Sequence, residues 1–154
     1  MGIKEVELFF DKFNKKDDII HVPDSSATVA LAAQSLGVEE ARIAKSLTFI
    51  NKEDVFMVVM AGDVKIDNRL YKDHFKAKAK MLDAQQVLEH TGHEVGGVCP
   101  FALKNPQMKV YLDESLKRFT TVFPACGSMN TAIELSIAEL EKYSNFSEWL
   151  AITK

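Results

Sequence analysis

The sequence predicts an α+β (mixed α/β) fold in which a barrel-like mixed sheet, largely antiparallel, is surrounded by helices. The strand-like runs are short, and several are separated by brief turns as in hairpins. Amphipathic helical segments are interspersed between these runs. The chain has 154 residues, 47% of them hydrophobic, and no internal repeat, low-complexity segment or linker. We therefore expect a single domain over residues 1–154.

The N-terminal part predicts two helices and one short strand. Apolar residues at helical spacing predict a first helix over residues 3–15: Val6, Phe9, Phe10 and Phe13. Ile19–Val22 is strand-like. The turn at residues 23–26 offers a serine or aspartate as the N-cap of a second helix, and Gly37 is placed to end that helix in a left-handed conformation.

A hairpin follows, and its second strand is expected to be central in the sheet. Lys45–Ile50 reads as a strand, residues 51–54 as a turn, and Val55–Met60 as a returning strand that is apolar on both faces. Lys45 stands at the rim of this apolar region. Its ordinary interpretation is a solvated lysine at a strand end.

Residues 63–80 carry a local excess of positive charge in an acidic protein. Six cations (Lys65, Arg69, Lys72, Lys76, Lys78 and Lys80) accompany three acids (Asp63, Asp67 and Asp73), whereas the whole chain has a net charge of −3. The overall charge argues against a nucleic-acid coat that works through a wholly basic surface. The local excess indicates either a solvated helix face or a strip that follows a phosphate backbone.

The C-terminal half alternates helices and strands. Asp83 and Gln86 have the spacing of a capping box, for a helix that ends near Gly92. Ser136 and Glu139 repeat that spacing for a last helix. Between the two helices, strands are expected at Lys109–Leu112, Thr121–Ala125 and Thr131–Leu135, with a short amphipathic turn over Glu114–Phe119.

The loop over residues 94–101, Glu-Val-Gly-Gly-Val-Cys-Pro-Phe, is the strongest local candidate for a binding site. Gly96 and Gly97 lack β-carbons, so the backbone can approach a ligand closely. Pro100 fixes one backbone angle and removes one amide donor. Glycine pairs and prolines also occur in ordinary turns. The loop alone therefore does not establish a function.

Several chemistries find no support in the sequence. There is no phosphate-binding P-loop and no dinucleotide fingerprint. Cys99 and Cys126 match no zinc spacing and are expected to be reduced thiols, and Gly92 interrupts any helix between His90 and His93. We expect neither a metal nor a cofactor. We also expect a cytoplasmic protein, because no signal peptide is visible and the longest apolar run, residues 55–61, is too short to span a membrane.

Four motifs resemble the YbaK/prolyl-tRNA editing domain family in order and spacing. They are Ser-Ala-Thr-Val-Ala at 26–30, Ala-Lys-Ser-Leu-Thr-Phe at 44–49, the run Thr91–Phe101, and Ala-Cys-Gly-Ser-Met-Asn at 125–130. The resemblance extends from about His21 to Tyr143. It implies a YbaK-like barrel fold and a deacylase that hydrolyses the ester of mischarged tRNA, typically tRNA(Pro) carrying a small amino acid. Mischarged tRNA, through its 3′ aminoacyl-adenosine end, and a prolyl-tRNA synthetase would be the partners.

The resemblance also implies the site residues. Lys45 would be the family lysine, residues 96–101 the family loop and Gly127–Ser128 the facing glycine turn. The expected catalytic positions are Lys45, Gly96, Gly97, Val98, Cys99 and Pro100. The expected substrate-binding positions are Ser26, Thr28, Phe101, Gly127, Ser128 and Asn130. Thr28 and Ala132 differ from the aromatic and acidic residues of the cysteine-selective branch, which leaves the removed amino acid open.

The chemistry of ester hydrolysis assigns roles to these residues. The backbone amides of Gly97, Val98 and Cys99 could donate to the oxyanion of a tetrahedral intermediate. Lysine has a reference pKa of about 10.4, so Lys45 is expected to act as a fixed positive charge toward phosphate or oxyanion. Val98, Thr28 and Phe101 would limit the size of the amino acid.

Two further hypotheses remain open. The same cleft and basic strip could serve a non-catalytic module that binds tRNA ends or nucleotides. Alternatively, Cys99 could be the nucleophile of a thiol hydrolase with His93 or His90 as its base, although no orienting Asn or Asp is identifiable.

Overall fold

The computed structural model describes residues 2–23 and 27–154. In these ranges the helices are α1 (Ile3–Asp11), α2 (Val29–Leu36), α3 (Asn68–Phe75), α4 (Ala84–Thr91) and α5 (Ile137–Ser144). The strands are β1 (Ile20–His21), β2 (Ile43–Asn51), β3 (Asp54–Ala61), β4 (Lys109–Asp113), β5 (Thr121–Pro124), β6 (Thr131–Ala132), β7 (Leu135–Ser136) and β8 (Glu148–Leu150). Short 3₁₀ turns cover Lys16–Asp18, Glu40–Arg42 and Glu114–Arg118.

Six strands form a mixed sheet that curls into a half-barrel, in the order β7-β5-β2-β3-β4-β8. β2 and β3 form the predicted antiparallel hairpin, with Asn51 opposite Asp54 at its turn. The mixed, barrel-like α+β fold is confirmed. Its parallel share is larger than the hairpin-like runs indicated, because β2–β5, β3–β4 and β4–β8 are all parallel pairs. A long crossover that contains α3 and α4 makes the parallel β3–β4 pairing possible.

β3 is the centre of the molecule, as its uniformly apolar sequence predicted. Residues 56–61 are all buried. Met57 and Val59 face the main core, which includes Phe10 and Leu140. Their neighbours on the opposite face join a second core under α3. A fully buried side chain of this size contributes about 1.5–3 kcal/mol, so a two-sided central strand is a major source of stability.

The helix ends largely follow the predicted signals. Both capping boxes form, and Gly37 and Gly92 adopt left-handed conformations directly after α2 and α4. The predicted N-cap of α2 was wrong. Thr28 caps this helix, because its Oγ1 accepts a hydrogen bond from Leu31 N–H at 3.1 Å.

Two other expectations need correction. α1 ends at Asp11, earlier than predicted, because the chain turns there and Asn14 adopts a φ of 62°. Phe13 still packs against Tyr143, with their ring centroids 4.8 Å apart. The strand expected over Thr131–Leu135 is divided into β6 and β7, which pair with different partners, β1 and β5.

Candidate active site

The site lies at a gap along the outer edge of β2. β5 pairs with β2 only at Ile43 and Ala44. Farther along, Ile50 N–H donates to Lys80 O at 2.9 Å, and Thr48 O accepts from Leu82 N–H at 3.2 Å. Because alternate residues turn their backbone groups to the same edge, the N–H and C=O of Ser46 also face this side. The gap therefore offers backbone hydrogen-bonding groups to a ligand.

A cavity of about 360 Å³ opens at this gap. Residues of α2, β2, the 80–82 segment and the glycine loop contribute to its wall. Its lining is mostly small and apolar, and includes Ala27, Ala32, Ala125 and Ala132 together with Val98 and Val87. Lys45 is the one titratable side chain in this lining, within the described part of the chain. A ligand here would meet a tight apolar space with a single positive charge.

The two glycines of the loop are required for different steric reasons. Gly96 has a φ of 98°, and a β-carbon there would lie 2.8 Å from Met129 Cγ. A β-carbon on Gly97 would lie 2.5 Å from the backbone nitrogen of Ser128. The Gly97 carbonyl also accepts from Gly127 N–H at 3.0 Å. The loop is thus fixed directly against the facing turn, backbone to backbone.

Lys45 lines the same cavity from β2, the strand paired with β3. Its ammonium donates to the carbonyl of Val64 and, at 3.5 Å, to that of Gly62. Burial lowers the pKa of Lys45, and the neighbouring positive charge of Lys65 lowers it further, whereas Asp63 raises it. These carbonyls hold the ammonium in place, and Lys45 is the charged side chain of the cavity lining.

Comparisons with known proteins identify the family of this chain. A family model described as the aminoacyl-tRNA editing domain matches residues 24–143. The chain belongs to the aminoacyl-tRNA editing domain family. The resemblance inferred from the motifs is confirmed, and the match covers the pocket, the glycine loop and the facing turn.

Of two relatives of this editing domain, one is named as uncharacterized and the other has a name that states an activity. The uncharacterized protein YwhH of Bacillus subtilis is 50% identical over 155 residues, covering 100% of this chain and 98% of YwhH. EbsC of Enterococcus faecalis, named as a candidate Cys-tRNA(Pro)/Cys-tRNA(Cys) deacylase, is 31% identical over 106 residues, which are 68% of this chain and 64% of EbsC.

A solved structure supports the fold of the editing domain. It is described as a candidate trans-editing enzyme for prolyl-tRNA synthetase and has a TM-score of 0.87. The alignment covers 99% of this chain and 96% of the solved one, at 23% sequence identity. At that identity the likeness supports the architecture alone.

The structure brings together some of the predicted site residues of the editing domain and separates others. Lys45, Gly96, Val98 and Thr28 line the cavity. Gly97, Pro100 and Gly127 are buried and do not line it. Ser128 Oγ donates to Asn130 Oδ1 at 3.0 Å within the facing turn.

Phe101 has no exposed surface and packs on Phe10 in the main core, with ring centroids 4.9 Å apart. Ser26 lies outside the described residues.

Cys99 is placed in the core beneath the loop of the editing domain. Its side chain has no exposed surface, and burial raises the pKa of its thiol to about 12. His93 Nε2–H donates to the Phe101 carbonyl at 2.8 Å, and burial lowers the pKa of His93. Both groups are therefore uncharged at neutral pH, and neither lines the cavity. This placement argues against the thiol-hydrolase hypothesis.

Sequence reasoning missed one polar group of the site. Ser46 lines the cavity, and its Oγ is buried with no hydrogen-bond partner among the described residues. A small polar residue two positions after Ala44 in a strand carries no local signal for this role. It becomes visible only when the end of the β2–β5 pairing is known.

A second hollow in the editing domain shares no lining residue with the candidate active site. This hollow, about 760 Å³, lies between α1 and residues 102–104; His93 lines it, but none of the residues expected to be catalytic or substrate-binding in the deacylase does. In residues 2–23 and 27–154, no group of three His, Cys, Asp or Glu side chains is arranged to hold a metal. In the same ranges, no helix is long and apolar enough to cross a membrane.

Proposed function

We propose that this chain is a trans-acting aminoacyl-tRNA deacylase that hydrolyses the ester of mischarged tRNA. Its substrate would be tRNA(Pro) carrying a small non-cognate amino acid, and a prolyl-tRNA synthetase would be the enzyme whose errors it corrects. Such a function belongs in the cytoplasm, where tRNA is charged. The supporting observation is one cavity whose lining includes Lys45 together with Gly96 and Val98 of the glycine loop.

The glycine loop provides the oxyanion donors in this proposal. Gly97 N–H donates to Glu94 O at 3.0 Å, so this amide is already occupied. The amides of Val98 and Cys99 donate to no backbone acceptor in the described chain. Val98 also lines the cavity, which makes its N–H the first donor to the oxyanion. One such donor contributes about 3–4 kcal/mol to transition-state stabilisation.

The reaction is direct hydrolysis by water. Water attacks the ester carbonyl carbon and the tetrahedral oxyanion forms; the bond to the ribose oxygen then breaks as a proton from the attacking water is transferred to that oxygen. The products are the free amino acid and the tRNA ribose hydroxyl. No carboxylate, imidazole or thiolate of the described residues lines the cavity. Catalysis therefore depends on positioning and on the fixed charge of Lys45 near the terminal phosphate or the oxyanion.

The small apolar wall supports selection by size. Thr28, Val98 and Ala132 leave room for a short side chain next to the ester. An apolar pocket discriminates one methylene by only about 1–3 kcal/mol, so an enzyme that charges small amino acids benefits from a second site of different shape.

The test is a deacylation panel on tRNA(Pro) bearing alanine, serine, cysteine or 2-aminobutyrate. We expect the wild type to release at least one of these amino acids and Lys45→Ala to be about 100-fold slower. Lys109→Ala, an exposed lysine on β4, is the matched control and should keep the wild-type rate. Equal rates for wild type and Lys45→Ala would remove Lys45 from the mechanism.

The second candidate is a non-catalytic module that binds tRNA ends or nucleotides. The observation that favours it is the lack of a general base in the lining given by the described residues. Saturable binding of tRNA without turnover of any substrate in the panel would support this candidate and contradict the deacylase proposal.

A further inference from the structure

The chain segment that joins the Lys45 side of the candidate active site to residues 80–82 carries six cations that form no ion pair with described residues. We call this group the basic strip. It consists of Lys65, Arg69, Lys72, Lys76, Lys78 and Lys80, and all six are exposed. None of them forms an ion pair with any residue in the described ranges, whereas Lys15, Arg42, Lys117 and Arg118 do.

The acids of the same segment are largely committed elsewhere. Asp63 forms a two-bond ion pair with Arg118, with distances of 2.6 and 3.1 Å. Asp67 caps α3, because its Oδ1 accepts from Arg69 N–H at 3.0 Å and from Leu70 N–H at 3.1 Å. Asp73 is exposed and is the remaining carboxylate of the segment. The strip therefore presents a strong uncompensated positive charge.

α3 holds part of the strip on a rigid support. Arg69 and Lys72 are three positions apart on one face of α3, and Lys76 follows directly as the left-handed residue that ends the helix. Tyr71 and Phe75, on the opposite face, pack their rings 4.7 Å apart in the second core. Eight helical residues span about 12 Å at 1.5 Å per residue. The cations can thus follow an extended anion rather than a single charge.

Both ends of the strip are attached to the site. Lys65 follows Val64, whose carbonyl accepts from the Lys45 ammonium. At the other end, Lys80 O accepts from Ile50 N–H at 2.9 Å, and the next two residues, Met81 and Leu82, line the cavity. The strip thus begins beside Lys45 and ends at the open edge of β2.

The part of the cavity wall formed by α2 has a different electrostatic character. α2 contains no charged residue, and the turn after it exposes Glu39 and Glu40. A polyanion that enters the cavity would therefore be attracted to the basic strip and repelled from the rim beyond α2.

We propose that the basic strip binds consecutive phosphates of the RNA whose esterified 3′ end occupies the cavity, and so fixes the direction in which the acceptor end leaves the protein. This inference rests on the proposed function for the identity of the RNA. The strip acts through phosphate charge, so it adds affinity and orientation without reading bases.

The test compares two triple variants with the same change in charge. K72Q/K78Q/K80Q removes three cations of the strip. K4Q/K16Q/K104Q removes three exposed lysines on other surfaces that also form no ion pair with described residues. Affinity for uncharged tRNA(Pro) is measured over a range of salt concentrations. Deacylation is measured on mischarged tRNA and on a 3′-aminoacyl adenosine, which lacks the phosphates.

We expect the strip variant to bind tRNA about tenfold more weakly than the control variant and to reduce the slope of log affinity against log salt by about 2, since each single-strand phosphate contact contributes roughly 0.7. Its KM for mischarged tRNA should rise about tenfold while kcat stays unchanged. Both variants should hydrolyse the aminoacyl adenosine at the wild-type rate.

Equal affinities and equal salt slopes for the two triple variants would overturn the proposal. So would unchanged tRNA affinity combined with loss of binding to phosphatidylserine-containing vesicles, because the strip would then face a membrane. If the wild type hydrolyses no ester but the strip variant still loses tRNA affinity, the deacylase proposal fails and the role of the strip is supported.

Discussion

The two sides of the cavity are built by opposite means. On the loop side, Gly96 and Gly97 contribute backbone, and their position depends on direct contact with the facing turn at Gly127–Ser128. On the strand side, Lys45 contributes one flexible charged side chain that two carbonyls hold in place. The position of the glycine loop therefore depends on correct folding of the facing turn. We expect that the charge on the strand side can be removed without disturbing the fold.

The largest effect is expected on the loop side, for Gly97→Ala. The new β-carbon would lie 2.5 Å from Ser128 N and 2.6 Å from Gly127 C, both backbone atoms that cannot rotate away. We expect the free energy of unfolding to fall by about 3 kcal/mol and deacylation to be lost. Denaturant titration and the deacylation assay measure the two effects.

Gly37→Ala is the control for this prediction. Unlike Gly97, Gly37 has a positive φ, of 69°, but a β-carbon added there would have no other atom within 4 Å. Its alanine variant should lose about 1–2 kcal/mol from backbone strain alone and retain activity. If Gly97→Ala proved as stable and as active as Gly37→Ala, contact with the facing turn would not be what fixes the loop.

The second prediction concerns Lys45→Met, which should reduce deacylation about 100-fold without reducing stability. Because burial lowers the pKa of Lys45, the folded protein binds this proton less tightly than the unfolded chain does. The charge therefore opposes folding below the lowered pKa. This destabilisation disappears as pH rises from the lowered pKa toward 10.5, because the ammonium of the folded protein loses its proton.

The measurement is the free energy of unfolding of both proteins from neutral pH to about pH 10.5. Relative to Lys45→Met, the wild type should gain stability as pH increases over this range. If wild type instead lost stability relative to the variant with rising pH, Lys45 would be a stabilising ion-pair partner rather than a partly buried cation held for function.

The smallest effect is expected for Cys99→Ala, beneath the loop. The pKa of this thiol is about 12, so it stays protonated and unreactive in ordinary assay conditions. We expect kcat to remain within about twofold of wild type, with a stability loss of about 1 kcal/mol from the missing buried sulfur. Loss of activity in a folded variant would return the thiol-hydrolase hypothesis to consideration.

Sequence patterns over a few residues predicted the helix caps and the hairpin, because contacts between residues close in the chain form them. The capping boxes at Asp83 and Ser136 form because each involves residues three positions apart. The β2–β3 hairpin forms because its turn separates two apolar runs. The central position of β3 follows from its lack of polar residues on either face.

The parts of the site that depend on long-range pairing could not be derived in this way. The open edge of β2 exists because β5 pairs with only two of its residues and the 80–82 segment joins farther along. Neither the short β2–β5 pairing nor the pairing with residues 80–82 produces a recognisable pattern in the sequence of β2. For the same reason, the sequence could not indicate that Phe101 turns into the core or that the amide of Gly97 is occupied by Glu94.

The most direct test of the site is a crystal structure with a non-hydrolysable amide analogue of 3′-aminoacyl adenosine. We expect the acyl oxygen to lie within hydrogen-bond distance of Val98 N–H, with the ribose end toward Lys45. An analogue bound in the hollow between α1 and residues 102–104, or bound with its acyl group away from the glycine loop, would contradict the proposed site.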